Sequence, residues 1–137
     1  MIRLLISVVF FINSLAFADK MSDMVLEVEG VSYEVELADT PAARELLKRL
    51  PLQVSMSDLN ANEKYGDLPE PLPTHAQAVG SIRTGDVMLF TPTCLVLFYK
   101  DFRTIYRYTP IGRVKKPDGL AKLLGRGDVL IRLSPAE

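Results

Sequence analysis

The polar side chains with the best spacing for chemistry fall in one stretch, residues 57–74, which reads SDLNANEKYGDLPEPLPT. Within it lie Asn60, Glu63, Lys64, Tyr65 and Asp67. The polarity and prolines predict a loop rather than a helix or a central strand, and a loop longer than about 12–15 residues in a compact domain is usually functional or disordered. We interpret the stretch as a shaped surface that rims a pocket. The alternative is a self-contained loop whose Asn and Asp side chains bond their own backbone.

Three residues outside this stretch are further candidates for ligand contact. Tyr99 and Tyr108 each combine an apolar ring with a polar tip, which suits a pocket rim. Arg113, in the sequence IGRV, can bind an anion. The alternatives are core packing for the tyrosines and a solvated position for the arginine. The predicted ligand-binding set is therefore Asn60, Glu63, Tyr65, Tyr99, Tyr108 and Arg113.

The inventory of catalytic and metal-binding residue types is small. One cysteine and one histidine are present, so a zinc site of the usual ligand type cannot be assembled. Cys94 lies in an apolar strand pattern, where we expect a small buried residue. The alternative is a reactive or intermolecular thiol, which as a nucleophile needs His75 to meet it in the fold. No paired carboxylates in an apolar context and no glycine-rich phosphate loop occur in the sequence. We predict no catalytic residue, no metal and no cofactor.

The first eighteen residues have the pattern of a secretory signal peptide. Arg3 precedes an apolar run at residues 4–11, and Ala16-Phe17-Ala18 forms a small-x-small cleavage site. The run is shorter than the roughly 20 apolar residues of a spanning helix, which favours cleavage over an uncleaved anchor. We predict a signal peptide at residues 1–18, one domain at residues 19–137, and a periplasmic or secreted protein that is free of the membrane after cleavage.

The charge balance argues against polyanionic partners. The chain carries 16 basic and 17 acidic residues, and loss of Arg3 with the signal peptide leaves 15 against 17. A slightly acidic domain has no electrostatic reason to bind nucleic acid or an anionic membrane surface. The oligomeric state stays open.

Alternation of apolar residues predicts a mainly β chain. Residues 25–29 and 32–37 alternate on either side of Gly30, which indicates a hairpin. Residues 87–91 and 95–99 are continuously apolar, so both faces of these strands should be buried. Pro110 should mark an edge or a bend within its strand. Further strands are predicted at residues 52–56, 76–79, 105–114 and 128–133.

Two short helices complete the pattern. Asp39 or Thr40 can cap a helix with Pro41 in its first turn and Pro51 at its end, and residues 119–124 form the second helix. Seven or eight short strands with glycine-marked turns and two helices predict a small closed or nearly closed β-barrel. The helices can plug the open ends of such a barrel.

Four short motifs resemble those of the small bacterial cyclophilin-like proteins. They are MSDLN at residues 56–60, NEKYGDLP at 62–69, GDV at 85–87 and IGRV at 111–114. The resemblance implies a compact barrel with the architecture of cyclophilin. Cyclophilins are prolyl isomerases with an F-x-x-F/M-x-Q-G-G-D pattern around the catalytic region, and this sequence lacks it. Arg83 follows GSI without the accompanying Phe and Gln.

Two functional hypotheses follow. The first is an exported, non-catalytic binding module for a small molecule or a proline-containing peptide. The alternative is a divergent peptidyl-prolyl cis-trans isomerase acting on extracytoplasmic proteins. Fold similarity alone does not transfer the isomerase activity, so the absent motif favours the first.

Overall fold

The computed structural model describes residues 23–125 and 127–137, and the predicted signal peptide lies outside them. The strands of the described residues are β1 (Met24–Val28), β2 (Val31–Leu37), β3 (Leu52–Leu59), β4 (Glu63–Asp67), β5 (Gln77–Ala78), β6 (Ser81–Ile82), β7 (Asp86–Leu89), β8 (Cys94–Phe98), β9 (Phe102–Arg103), β10 (Arg107–Val114) and β11 (Val129–Pro135). The helices are α1 (Pro41–Lys48) and α2 (Leu120–Leu124).

Eight of these strands form a closed antiparallel barrel. Their order is β2-β1-β11-β3-β4-β8-β7-β10, and β10 pairs back with β2. This confirms the predicted mainly β barrel with two short helices. β5 adds to β10, while β6 and β9 form a separate two-stranded sheet.

The barrel closes at an irregularity in β10. The register against β7 shifts between Pro110 and Gly112, which is the bend predicted at Pro110. Gly112 then pairs with Leu37 of β2, where a Cβ would lie 2.5 Å from the Glu36 carbonyl oxygen. Only glycine permits this approach, so one strand can pair with both β7 and β2.

Apolar side chains fill the inside of the barrel. Leu26, Val54, Leu97 and Ile131 belong to one continuous buried cluster supplied by different strands. The helices contribute to the same cluster from their apolar faces, through residues that include Ala42, Leu46, Leu120 and Leu124. An eight-stranded barrel is just wide enough for side chains to fill it, so its interior is a packed core.

The first helix is fixed to the closing strand by its cap. Thr40 Oγ1 accepts a hydrogen bond from the Ala43 amide at 3.1 Å, and the same hydroxyl donates to the Pro110 carbonyl at 3.1 Å. Pro41 occupies the first turn. The predicted cap and proline are confirmed, and the helix ends at Lys48, before the stop expected at Pro51.

Strands β7 and β8 are buried on both faces, as their continuous apolar sequences predict. Their inward side chains join the main core. Their outward side chains join a second buried cluster. Ile82 of β6 also belongs to this cluster and lies in the part of the chain that packs over these strands, formed by Val79, β6 and β9, which we call the covering segment. The cluster consists of Ile82, Met88, Val96, Phe98 and Tyr108, with Val79, Cys94 and Phe102 packed against it.

The prediction of a loop across residues 57–74 is wrong for its first half. β3 continues to Leu59, and β4 (Glu63–Asp67) is a barrel strand that pairs with both β3 and β8. The hairpin between them turns through Asn60 and Ala61, both with positive φ. Gly66 is required within β4, because a Cβ there would lie 2.2 Å from the Ser55 carbonyl oxygen. The second half is a strap, held where the Leu68 and Leu72 amides donate to Thr93 and Pro92 carbonyls.

A buried ion pair makes this polar strand compatible with the barrel. The Lys64 side chain is fully buried, and its Nζ donates to Asp58 Oδ1 at 2.9 Å and to the Gly127 carbonyl at 2.6 Å. It also lies 5.5 Å from the centre of the Tyr99 ring, whose hydroxyl donates to the same Asp58 oxygen. The Tyr99 hydroxyl and then the Lys64 ammonium hold the pKa of Asp58 below its usual range. These partners satisfy the hydrogen bonding and charge of a buried Lys64, although residue type alone would predict an exposed side chain.

Asp58→Asn should lower the free energy of unfolding by about 3 kcal/mol, because it leaves the Lys64 ammonium buried without a counter-charge. Lys64→Met should cost less, since the Asp58 side chain is 35% exposed and can be hydrated. The double variant should be more stable than Asp58→Asn alone. Urea unfolding of the three variants measures this cycle, and strictly additive losses would contradict a buried pair.

Candidate functional site

The alternation of β4 places its odd-numbered side chains on the outside of the barrel. Lys64 lies inside, so Glu63 and Tyr65 face outward, where they line a cavity of about 400 Å³ that we call the outer groove. This volume falls within the roughly 300–1,000 Å³ of small-molecule sites. The outer groove is lined by Leu59, Asn60, Glu63, Tyr65, Phe90, Cys94, Val96, Tyr106 and Tyr108.

Stacked aromatic rings form one wall of the outer groove. The Phe90 ring lies 5.7 Å from Tyr108 and 6.2 Å from Tyr106, the latter pair edge to face at 89°. Tyr108 in turn meets Phe98 of the second cluster at 5.5 Å and 88°. Edge-to-face packing of this kind holds rings in fixed orientations. The wall is therefore anchored in the buried cluster and preformed.

The rim of the outer groove is unusually apolar for exposed surface. Phe90 is 50% exposed and Tyr106 is 60% exposed, and Leu59 and Tyr65 beside them are exposed too. These four account for half of the eight large hydrophobic residues that are exposed in the described part of the chain. Concentration of exposed apolar side chains around one cavity is typical of a binding site.

Among the described residues that line the outer groove, Glu63 alone carries a carboxyl group. The residue is 8% exposed, and its carboxyl makes no hydrogen bond or ion pair with any residue in the described ranges. Burial, with a smaller contribution from the Asp58 charge, raises the pKa of Glu63. Burial and the Glu63 charge likewise raise the pKa of the Tyr108 phenol.

Cys94 is not the buried core residue that its sequence pattern predicts. It is partly exposed and lines the outer groove. Burial, then the charges of Asp67 and Glu63, raise the pKa of its thiol, which keeps it protonated and unreactive. His75 lines a different cavity, where its amide donates to Thr109 Oγ1 at 2.9 Å. The structure therefore gives the thiol no histidine base in this groove.

The structure brings four of the six predicted binding residues together in the outer groove: Asn60, Glu63, Tyr65 and Tyr108. Tyr99 lies inside the barrel instead, where burial and then its hydrogen bond to Asp58 raise its pKa to about 12. Sequence reasoning did not select Phe90, Tyr106, Cys94 or Val96 for the groove. Alternation along β8 could have placed Cys94 and Val96 outside the barrel, because they alternate with Leu95 and Leu97, whose side chains lie in the core.

Arg113 lies at a second cavity on the outer face, of about 550 Å³. Its Nε donates to Asp86 Oδ1 at 2.7 Å, and the other Asp86 oxygen accepts the Arg83 amide at 2.9 Å. Asp86 is almost fully buried, whereas the Arg113 side chain is half exposed. The Asp86 carboxylate thus holds the Arg113 guanidinium at the cavity wall. The other N–H groups of the guanidinium make no hydrogen bond to the described residues.

Residues 23–125 and 127–137 contain neither a cluster of metal-ligating side chains nor a helix that could span a membrane. No group of three or more His, Cys, Asp or Glu residues is arranged to hold a metal ion. No helix there has the length and apolar character needed to cross a membrane.

Comparison with known proteins agrees with the barrel. The sequence profile of the Cyclophilin-like family matches residues 26–134. The structure of McbB in complex with tryptophan superposes with a TM-score of 0.61 at 18% identity, over 81% of this chain and 44% of McbB. The chain therefore corresponds to less than half of McbB.

A second solved structure is similar over nearly its whole length. The solution structure of the hypothetical protein AF2241 from Archaeoglobus fulgidus has a TM-score of 0.55 at 18% identity, over 84% of this chain and 95% of AF2241. At this identity both similarities establish the fold. No curated protein matches the sequence.

Glu63→Gln should raise the melting temperature at neutral pH, because it removes a buried carboxylate that has no partner. The folded-state pKa of Glu63 is raised, so the folded protein loses stability as pH rises through that pKa. The advantage of the variant should shrink as pH falls and should vanish below about 4.5, where the acid becomes neutral in both states. Thermal melting across this pH range measures the effect.

Glu34→Gln, at an exposed position of β2, is the matched control and should change little. A Glu63→Gln variant that is less stable than the parent at neutral pH would show that Glu63 has a stabilising counter-charge, contrary to the structure.

Proposed function

The chain belongs to the Cyclophilin-like family, and from that premise we propose that it is an exported binding module that takes a small organic ligand in the outer groove. The observation that carries this proposal is the coincidence of a preformed aromatic wall, an exposed apolar rim and one buried carboxyl at a single cavity. Pockets of this kind, mostly apolar with a few convergent polar groups, are typical of small-molecule sites.

The known structures are compatible with this proposal. McbB was solved in complex with tryptophan, so a protein that contains this fold can bind a small aromatic molecule. The identity of 18% carries the fold and not the ligand. The choice of ligand for this chain therefore rests on its own groove.

The non-catalytic part of the proposal rests on the chemistry of the groove lining. Glu63 and Cys94 are its acidic groups, and burial raises the pKa of each. A protonated thiol without a neighbouring base is a poor nucleophile. The remaining lining residues are apolar, aromatic or, at Asn60, an amide.

Prolyl isomerisation is the second candidate, and Arg113 is the observation in its favour. An isomerase of this architecture uses an arginine on a barrel strand beside an apolar surface. Arg113 lies on β10 at the second cavity, which Met88 and Pro110 also line. However, the Arg113 guanidinium is already bonded to the buried Asp86, so only part of its donor set is available to a substrate carbonyl.

Export is proposed from the sequence of the first eighteen residues. The basic residue, apolar run and AFA site together favour cleavage after Ala18. When the full chain is expressed in a bacterium, the mature protein should be recovered outside the cytoplasm with Asp19 as its first residue. Intact-mass measurement of the exported protein checks this, and a protein that retains Met1 in the cytoplasm would contradict it.

Phe90→Ala and Tyr106→Ala should each weaken ligand binding by about fivefold, because each removes part of the aromatic wall. Both side chains are at least half exposed, so the fold should survive. Indole, tryptophan and 2-phenylethanol are suitable probes, with affinity measured by titration followed by NMR. Leu130→Ala, which removes an equally exposed apolar side chain from β11, is the control.

The same preparations distinguish the second candidate. Failure of all three probes to bind, together with a catalysed proline isomerisation rate that Arg113→Ala abolishes, would overturn the binding-module proposal. Melting of Arg113→Ala must accompany the assay, because the substitution leaves the buried Asp86 carboxylate without its charge partner.

A further inference from the structure

Glu63 differs from the other buried polar residues of the described chain. Four polar or charged residues are buried: Glu63, Lys64, Asp86 and Thr109. Lys64 is paired with Asp58, Asp86 with Arg113, and the Thr109 hydroxyl accepts the His75 amide. Glu63 has no such partner, and its carboxyl lines the outer groove. Because the carboxyl group opens on the outer groove, a ligand bound there can supply the partner that the protein does not.

The charges around Glu63 specify which kind of partner is missing. The groups that interact with it electrostatically are Asp58 on β3, Cys94 on β8 and Tyr108 on β10, all of which are neutral or negative. Asp67 also lies near enough to act on Cys94. None of the described residues that line the groove is Lys or Arg. Asp58 is paired with Lys64 inside the barrel, so the charge that the outer groove itself presents is that of the Glu63 carboxylate, which favours a positively charged ligand.

The aromatic lining has the same preference. Tyr65, Phe90, Tyr106 and Tyr108 make up four of the nine lining residues. The face of an aromatic ring is electron-rich, and it attracts a cation that lies within about 6 Å of the ring centre. A carboxylate surrounded by aromatic rings is a recurrent arrangement for alkylammonium groups, because the rings replace water around the methylene groups while the carboxylate accepts the N–H bonds.

We propose that the ligand of the outer groove is an organic cation, a protonated amine with an apolar or aromatic body, whose ammonium group binds Glu63. This inference rests on the proposed binding function and names its ligand class. The body lies against Phe90 and Tyr106 at the rim, and the Asn60 side chain offers one further polar contact. Burial disfavours the ionised form of the Glu63 carboxyl, and a bound ammonium group favours it.

The proposal is tested with three probes of similar size and different charge: 2-phenylethylammonium, 2-phenylethanol and 3-phenylpropionate. The ammonium should bind at least about tenfold more tightly than the alcohol, because a charge-assisted bond replaces a neutral one. The anion should bind most weakly. Calorimetric titration of the protein from Asp19 onward, at about pH 7, gives the three affinities.

Glu63→Gln should reduce the preference for the ammonium over the alcohol to about twofold, because the charge-assisted bond is lost. Glu34→Gln is the control and should leave the preference unchanged. A second readout is pH. Affinity for the ammonium should fall as pH is lowered through the raised pKa of Glu63, and Glu63→Gln should remove that dependence.

The outcomes separate the two proposals. Equal binding of all three probes, unaffected by Glu63→Gln, would overturn the cation inference and leave the binding groove standing. Tighter binding of the anion would likewise overturn it. Binding of none of the probes, with a folded protein and with Phe90→Ala indistinguishable from the parent, would overturn both.

Discussion

Closure of the sheet through β10 is the constraint on which the rest of the structure depends. β10 pairs with β7 at residues 109–113 and with β2 at residues 112–114, and Gly112, which lies in both pairings, provides the close approach that this requires. An eight-stranded barrel is either filled by its own side chains or holds one small ligand. Here the buried cluster of strand and helix residues fills the interior. Any ligand must therefore be bound on the outer surface.

The covering segment decides where on the outer surface binding is possible. Residues of β6 and β9, together with Val79, pack over part of β7 and β8 and create the second apolar cluster. They leave the neighbouring part of the same apolar surface uncovered, between β4, β8 and β10. Phe98 and Tyr108 connect the two parts through ring contacts. The outer groove is thus the open continuation of a buried cluster, which gives it a rigid wall without a separate domain.

The sequence predicts those elements whose stability is local or strongly patterned. The cap at Thr40, the bend at Pro110 and the two-sided burial of β7 and β8 all follow from residue type and spacing. β4 could not be predicted, because the partners that make Lys64 acceptable inside a barrel come from Asp58, Tyr99 and the distant Gly127. The candidate site divides in the same way. Its polar residues can be selected from the sequence because they cluster in one polar stretch. Phe90 and Tyr106 cannot, because aromatic residues equally suit a core, and only the fold shows that these two are exposed.

The pairing of every barrel strand on both sides also bears on how the protein behaves when it is concentrated. Unpaired strand edges are the usual template for fibrils and for exchange of strands between molecules. Here the eight barrel strands offer no such edge, and the edges that remain in the described residues, on β5, β6 and β9, belong to strands of only two residues. Self-assembly through backbone hydrogen bonding is therefore discouraged by the topology itself. At high concentration the molecules should remain separate unless side chains bind one another. The exposed apolar patch at Phe90 and Tyr106 is where such contacts would form first.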